Sequence, residues 1–201
     1  MLTQRRTAET AREIGAAARR LAATKGLSGF TIEELCAMVG IARRTFSNYY
    51  ATKAAAVAGV SRRTGFEDLD EEFLLSAPRQ SLVDDFSELV TSRWRRMGFT
   101  RLDLEELYRC TQNDPQLIWT LLETLSSSHE HDIMLLARHA GLQDDDVRVK
   151  TAVELLEALV LRSLADCLKT DSDSFEHILA QRVSLARDVL TPNPSAYGAS
   201  S

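Results

Sequence analysis

The sequence predicts an all-α fold in which a small amino-terminal head of three helices precedes a larger helical body, about nine helices in all. Nine glycines and four prolines among 201 residues leave long stretches without the two residues that most strongly break helices. Apolar residues recur along those stretches at three- and four-residue spacing, as they do on one face of a helix. Hydrophobic residues at 44% and charged residues at 26% are ordinary for a globular protein.

The first head helix is predicted at residues 4–25. Ile14, Ala18 and Leu21 form part of its apolar stripe, and Arg12, Arg19 and Arg20 lie elsewhere around the cylinder. Because glycine ends helices readily, Gly26 marks its end.

The second head helix is predicted to begin after Thr31. This threonine is a suitable N-cap, and Glu34 three residues later completes a capping box. Gly40 ends that helix, since it can adopt the left-handed conformation of a C-terminal turn. The third helix is predicted at residues 42–49.

The body is predicted to contain six helices, at residues 53–74, 80–97, 101–112, 115–139, 144–169 and 174–190. Pro115 suits a first helical position, and Ser174 suits an N-cap. We therefore expect a head domain at residues 1–52 and a body domain at residues 53–190. The segment 191–201, rich in proline, glycine and serine, is expected to be a disordered tail.

Charge is divided unevenly between the two ends of the chain. Residues 1–63 hold 11 Lys and Arg against 4 Asp and Glu, a net charge of +7, and residues 64–201 hold 13 against 25, a net charge of −12. A basic head on an acidic body predicts a polyanionic partner that binds at one end only.

Several classes of protein are not expected. No apolar run is long enough to cross a membrane, and charges interrupt the first fifteen residues, so we expect a cytoplasmic protein without a membrane partner. The three cysteines, Cys36, Cys110 and Cys167, are far apart among apolar helical neighbours, which predicts buried thiols without a disulfide.

No catalytic, metal or cofactor site is predicted. His129 and His131 are two residues apart and therefore point to different sides of a helix, which is unsuited to chelating one metal. The sequence has no catalytic triad, phosphate-binding glycine loop or paired-carboxylate motif that would indicate an enzyme.

Residues 32–51 fit a helix-turn-helix. Cys36 is a small residue where two helices would cross, and Gly40 provides the tight turn four residues later. Ile41 fills the space below the turn, and Phe46 anchors the next helix to the core. Four matches in register favour this motif over an ordinary helical hairpin with solvated arginines.

The third helix should present polar residues to DNA. With Phe46 and either Tyr49 or Tyr50 facing inward, helical periodicity leaves Arg43, Arg44, Ser47 and Asn48 on the opposite side. Arginine can bind guanine and asparagine can bind adenine through paired hydrogen bonds, whereas serine is less selective. The surrounding donors expected to contact phosphates are Thr31, Thr45, Tyr49, Thr52 and Lys53.

The stretch G-L-S-G-F-T-I-E-E-L-C-A-M-V-G-I-A-R-R-T-F-S-N-Y-Y-A-T-K, residues 26–53, resembles the signature of the tetracycline-repressor (TetR) family. The shared features are a glycine, an aromatic, a threonine, a helix, a glycine–aliphatic turn and T-[LF]-x-x-[YH]-[FY]-x-[ST]-K. Ser47 departs from the usual tyrosine or phenylalanine, and Ala51 from a frequent proline. The later run R-C-T-Q-N-D-P-Q-L, residues 109–117, is similar to an R-x-N-P-x-L run found in many members.

The resemblance implies roles for individual residues of the head. Thr31, Tyr49 and Lys53 match positions that hold phosphates, whereas Arg43, Arg44 and Asn48 match positions that face bases. It also implies a ligand cavity lined by the fifth to eighth helices.

Candidate ligand-binding residues in the body combine apolar and polar side chains on the same helices, as ligand cavities do. The apolar members could equally be plain core. The candidates are Phe86, Val90, Arg93, Trp94, Met97, Tyr108, Arg109, Trp119, Leu122, Leu159 and Arg162.

The last two helices carry broad apolar stripes, and such stripes bury more than one side of a helix. The resemblance implies that these helices pair with their symmetry mates in a four-helix bundle. The expected interface residues are Leu156, Val160, Leu164, Ile178, Leu179, Val183 and Arg187.

Together these features predict a ligand-responsive DNA-binding transcriptional regulator. The expected form is a homodimeric repressor that binds a palindromic double-stranded operator and is released by a small apolar or amphipathic effector. The alternatives are a helical small-molecule-binding or scaffold protein without specific DNA recognition, and an enzyme built on a helical bundle.

Overall fold

The computed structural model describes residues 2–59, 61–62, 66–79, 81–114, 116–167 and 174–191. These residues form ten α-helices and one 3-10 turn at Leu27–Gly29, and none of them lies in a strand, so the all-α prediction is confirmed. The helices are α1 (Leu2–Lys25), α2 (Ile32–Val39), α3 (Arg43–Tyr49), α4 (Lys53–Ala58), α5 (Glu67–Leu75), α6 (Leu82–Met97), α7 (Arg101–Asn113), α8 (Gln116–Ala140), α9 (Val147–Cys167) and α10 (Phe175–Leu190).

The predicted capping box at the start of α2 is confirmed. The Thr31 hydroxyl accepts a hydrogen bond from the Glu34 N–H at 3.1 Å, and the Glu34 carboxylate accepts one from the Thr31 N–H at 2.7 Å. At the other end, Gly40 lies in the left-handed region with φ 76° and donates its N–H to the carbonyl of Cys36. Both ends of this short helix are therefore fixed by local hydrogen bonds.

The single helix predicted at residues 53–74 is wrong, because the segment contains two helices. Gly59 ends α4 in the left-handed conformation, with φ 78° and an N–H that donates to the carbonyls of Ala55 and Ala56. A Cβ at this position would lie 2.6 Å from the ring of Phe99. Glycine therefore permits both the turn and the close approach of the body.

The start of α9 also differs from the prediction. The Asp146 carboxylate accepts a hydrogen bond from the N–H of Arg148 at 2.8 Å, so the helix begins at Val147 and not at Asp144. The Ser174 cap is confirmed, since its hydroxyl accepts from the N–H of His177. Pro115 and the predicted tail beyond Thr191 lie outside the described residues.

Two hydrophobic clusters hold the helices together. The first cluster joins α1–α4 around Ile14, Leu35 and Phe46, and it also includes Leu107 and Leu117 from the body. The second cluster joins α5–α10. Because α7 and α8 contribute to the first cluster, the head is packed directly against the body.

Cys36, Cys110 and Cys167 are buried free thiols, as predicted. Burial raises the pKa of all three. Within the described part of the chain, no helix is both long and apolar enough to span a membrane.

Candidate DNA-binding site

The turn between α2 and α3 has the geometry of a helix-turn-helix. The carbonyl of Cys36 accepts hydrogen bonds from the N–H groups of both Gly40, at 2.9 Å, and Ile41, at 3.0 Å. The Cys36 side chain is buried, and the half-buried Ile41 packs against the first cluster. A small buried residue, a left-handed glycine and an apolar plug thus set the direction in which α3 leaves α2.

The inner side of α3 is anchored to α1. Phe46 is 1% exposed, and Tyr50 just beyond the helix is 2% exposed. The Tyr50 hydroxyl donates a hydrogen bond to the Ala11 carbonyl at 2.7 Å. Tyr49 is buried as well. Both tyrosines therefore face inward, whereas the sequence predicted that at least one of them does.

The outer side of α3 carries the four polar side chains predicted from the sequence. Arg43, Arg44, Ser47 and Asn48 are all exposed. Arg43 forms an exposed ion pair with Glu33 of α2. The side chains of the other three form no hydrogen bond or ion pair with the described residues, so their donors and acceptors face solvent.

The rim of this surface consists of groups that also stabilise the head. The Thr52 hydroxyl caps α4 by accepting from the N–H of Ala55 at 3.0 Å. The Lys53 ammonium donates to the Phe30 carbonyl at 2.6 Å and lies 4.8 Å from the centre of the Phe30 ring. Thr45 is half-buried and Thr31 is exposed. The hydrogen bond from the Thr31 N–H and the neighbouring Lys25 ammonium lower the pKa of Glu34, which keeps the capping box charged.

A buried ion pair connects the head to the body. Arg19 of α1 is 2% exposed and donates to the Asp103 carboxylate of α7 at 2.6 Å. Its guanidinium also lies 4.7 Å from the centre of the Phe99 ring. Burial raises the pKa of Asp103, but hydrogen bonds from Thr100 and Arg19 outweigh it, and the net pKa is below its ordinary value.

Arg19 is buried, whereas helical periodicity predicted that its side chain lies away from the apolar stripe of α1. Gly15, one turn earlier, leaves room for the guanidinium, because a Cβ there would lie 3.3 Å from its Nη1 atom. A glycine four residues before an arginine in an alanine-rich helix is the signal that could have indicated this burial.

The predicted ligand-binding residues are divided between the interior and the surface of the body. Phe86 is buried, and Trp94 packs against the rings of Phe99 and Phe175. The half-buried ones are Val90, Arg93, Met97 and Leu159; the exposed ones are Tyr108, Arg109, Trp119 and Arg162; and the side chain of Leu122 lies outside the described residues.

Arg93 has a structural role in the interior of the body. Its guanidinium donates at 2.7 Å both to the Asp70 carboxylate of α5 and to the Asp132 carboxylate of α8. Burial raises the pKa of Asp132 in spite of the attraction of Arg93. Arg93 therefore joins α5, α6 and α8 through its own ion pairs.

Most of the predicted interface residues lie in the core of the chain itself. Leu156 and Leu179 are at most 1% exposed, and Ile178 and Val183 are buried too. Val160 and Leu164 are half-buried, and Arg187 is exposed and paired with Asp84 of α6. Helices α9 and α10 of one chain therefore bury much of the apolar stripe against each other. The residues that would contact a second copy of the chain stay a prediction.

The geometry of α2 and α3 defines the chain as a helix-turn-helix protein whose second helix presents a free polar face. The model of the family described as "Bacterial regulatory proteins, tetR family" matches residues 14–60, which contain the helices that build this face. Residues 14–60 of the chain are therefore similar to this family of regulatory proteins.

Among solved structures, the chain is similar to a protein from Mesorhizobium loti MAFF303099 described as a candidate TetR-family transcriptional regulator. The identity is 18%, the TM-score is 0.46, and the alignment covers 92% of this chain and 96% of that chain. The curated proteins include no match.

Proposed function

We propose that the protein is a homodimeric repressor that binds a palindromic operator and releases it when a small apolar or amphipathic effector binds. The observation that carries the proposal is the polar face of α3, exposed and opposite the buried Phe46. A recognition helix needs this arrangement, since one side must be held rigidly while the other enters the major groove.

Base recognition is assigned to Arg43, Arg44 and Asn48, with Ser47 as a less selective neighbour. Arg44 and Asn48 lie four residues apart on one face of α3, so both can reach the same groove. Arg43 pairs with Glu33 at the surface, where an ion pair contributes little and opens at low cost. Its guanidinium is therefore available to a base or a phosphate.

Phosphate contacts are assigned to Thr31, Thr45, Tyr49, Thr52 and Lys53. The hydroxyls of Thr31 and Thr52 accept bonds from the backbone and can still donate to a phosphate. Lys53 uses one hydrogen on the Phe30 carbonyl and has two others. Tyr49 is 8% exposed, so it contributes only at its edge.

The homodimer is assigned to the outer sides of α9 and α10. Leu185, Val189 and Leu190 of α10 and Val147 of α9 are 59–82% exposed, although they are large apolar side chains. Exposed apolar groups on adjacent helices favour association with another protein surface. Two heads joined in this way would fit half-sites about 34–36 Å apart, one turn of DNA.

The effector is assigned to the body, residues 53–190, and the DNA contact to the head, residues 1–52. The buried junction through Arg19 and Asp103 supports this division, because a shift of α7 moves a carboxylate that holds α1. A ligand changes operator affinity only if it binds the two head–body arrangements unequally.

The test is the affinity for duplex DNA from upstream of the gene that encodes the protein, measured by fluorescence anisotropy. Arg43→Ala/Arg44→Ala should remove specific binding, because each arginine–guanine contact contributes about 1–3 kcal/mol. Arg95→Ala/Arg138→Ala removes the same charge from exposed body positions and should bind within about twofold of the wild-type protein.

Circular dichroism and size-exclusion chromatography verify that both variants are folded and have the same oligomeric state. Equal operator affinity of the two double variants would overturn the assignment of α3. A wild-type protein that binds no upstream DNA would favour the scaffold alternative.

A further inference from the structure

A surface groove of about 440 Å³ lies where the head meets the body. One wall comes from α1 and the end of α2, and the other from the junction between α6 and α7. We call it the α1–α7 groove; it is lined by Arg12, Glu13, Ala16, Ala17, Arg20, Met38, Val39, Gly98, Thr100 and Asp103. None of the individual residues named above for DNA, effector or dimer contacts belongs to it.

Two arginines mark the length of the groove. Arg12 and Arg20 are eight residues apart on α1, with Ala16 midway, so they lie on one side of the helix about 12 Å apart along its axis. Both are exposed, and the side chain of neither forms a hydrogen bond or ion pair with the described residues. Their charges are therefore available to a ligand.

The residues that line the groove carry a net positive charge. Glu13 and Asp103 are its two acids, but Asp103 is already neutralised by the buried Arg19. Arg12 and Arg20 then stand against Glu13 alone, which leaves one uncompensated positive charge. A ligand with a single negative charge satisfies this excess.

Most of the remaining lining is apolar. Ala16, Ala17, Met38 and Val39 contribute this apolar surface. Met38 is 53% exposed, and its flexible thioether can adapt to the shape of an apolar ligand. Apolar surface beside a few charged groups is the kind of lining that a small amphipathic ligand contacts.

We infer that the α1–α7 groove binds a small amphipathic monoanion, a carboxylate or sulfonate with an apolar ring or chain about 10 Å long. The anion lies over Ala16, between Arg12 and Arg20, and the apolar part extends along Met38 and Val39. The groove is separate from the interior of the body, where Arg93 is engaged in its own ion pairs.

Occupation of the groove would influence the angle between head and body. The ligand contacts α1 and α2 on one side and Gly98 and Thr100 on the other, directly beside the Arg19–Asp103 pair. A bound ligand therefore stabilises the arrangement of head and body in which it can contact both walls of the groove. This regulatory consequence rests on the proposed function, whereas binding itself does not.

The test uses 4-phenylbutyrate as the probe and isothermal titration calorimetry of the full chain without DNA. The wild-type protein should bind the probe more tightly than butyrate, which lacks the ring, and than 4-phenylbutanol, which lacks the charge. Arg12→Gln and Arg20→Gln should each weaken binding about tenfold, the loss expected for a hydrogen bond to a charged group. Ala16→Phe fills the groove without changing its charge and should abolish binding.

Arg138→Gln is the matched control, because it removes the charge of an exposed α8 arginine outside the groove, and it should bind the probe as the wild-type protein does. Chemical shifts of the Met38 methyl group report folding and occupancy together. Probe binding that is equal in all variants would place the probe elsewhere and overturn the inference, as would no binding to the wild-type protein.

Duplex DNA is the competing occupant of these arginines. If Arg12→Gln/Arg20→Gln leaves probe binding intact but lowers the salt dependence of DNA affinity, the two arginines hold phosphates and the inference is overturned. If the probe binds as expected but the protein has no operator, the inference that the groove binds an amphipathic monoanion is supported and only the proposed function is wrong.

Discussion

The arginines of α3 and the arginine at the head–body junction carry the same charge in opposite surroundings. Arg44 is exposed and its guanidinium has no bonded partner among the described residues, whereas Arg19 is 2% exposed and bonded to Asp103. A solvated guanidinium can exchange water for a base edge or a phosphate, while a buried one beside a carboxylate fixes two helices relative to each other. The comparison distinguishes an arginine that is available to bind DNA from an arginine that fixes two helices in position.

The largest effect should come from removing the buried arginine. Arg19→Ala leaves Asp103 without its partner, and breaking a buried pair costs about 3–5 kcal/mol of the free energy of unfolding, measured by urea denaturation. Arg20→Ala changes an exposed neighbour and should alter stability by no more than about 0.5 kcal/mol.

A second variant distinguishes the charge from the packing. Arg19→Met/Asp103→Leu leaves no unpaired charge and should lose much less stability than Arg19→Ala. If Arg19→Ala is as stable as Arg20→Ala, the junction is not held by this pair.

The sequence predicted the recognition surface better than the junction, for a physical reason. Thr31, Glu34 and Gly40 act through hydrogen bonds to residues three or four positions away, so local spacing determines their roles. Asp103, the partner of Arg19, is 84 residues away along the chain. A local sequence pattern does not show which distant residue an arginine will contact.

A smaller effect is expected at the glycine that ends α4. Gly59 and Gly141 both have positive φ, 78° and 67°, so alanine at either costs about 1–2 kcal/mol in backbone strain. Only Gly59 faces a neighbour, the Phe99 ring, and the overlap should add about 1–3 kcal/mol.

The difference in unfolding free energy between Gly59→Ala and Gly141→Ala, measured by thermal or urea unfolding, therefore reports how tightly Phe99 packs against Gly59. Equal losses in the two variants would contradict a tight contact between α4 and the body.

The same glycine explains why the sequence predicted one long fourth helix. Its apolar residues continue beyond Gly59 at helical spacing, and periodicity does not show that the chain turns there to admit Phe99. The stripe through Leu156 and Leu179, which the sequence analysis assigned to a dimer interface, is buried within one chain. Periodicity identifies an apolar face but not the surface that covers it.

The smallest effect should come from the cap of α2. Thr31→Ala removes the hydroxyl that accepts from the Glu34 N–H, which costs about 1 kcal/mol of unfolding free energy. Thr31→Ser keeps the hydroxyl and should be as stable as the wild-type protein, because serine is at least as good an N-cap as threonine. A Thr31→Ala protein as stable as the serine variant would show that the capping box contributes nothing to the head.

Selection of binding sites from random DNA duplexes, compared between the wild-type protein and Asn48→Ala, tests the central assignment of α3 most directly. The wild-type protein should enrich two-fold symmetric sites with half-sites about one helical turn apart. Asn48→Ala should keep that spacing but lose about 1–3 kcal/mol of discrimination at one adenine in each half-site. A wild-type protein that enriches no sequence, or a variant with an unchanged preference at every position, would contradict it.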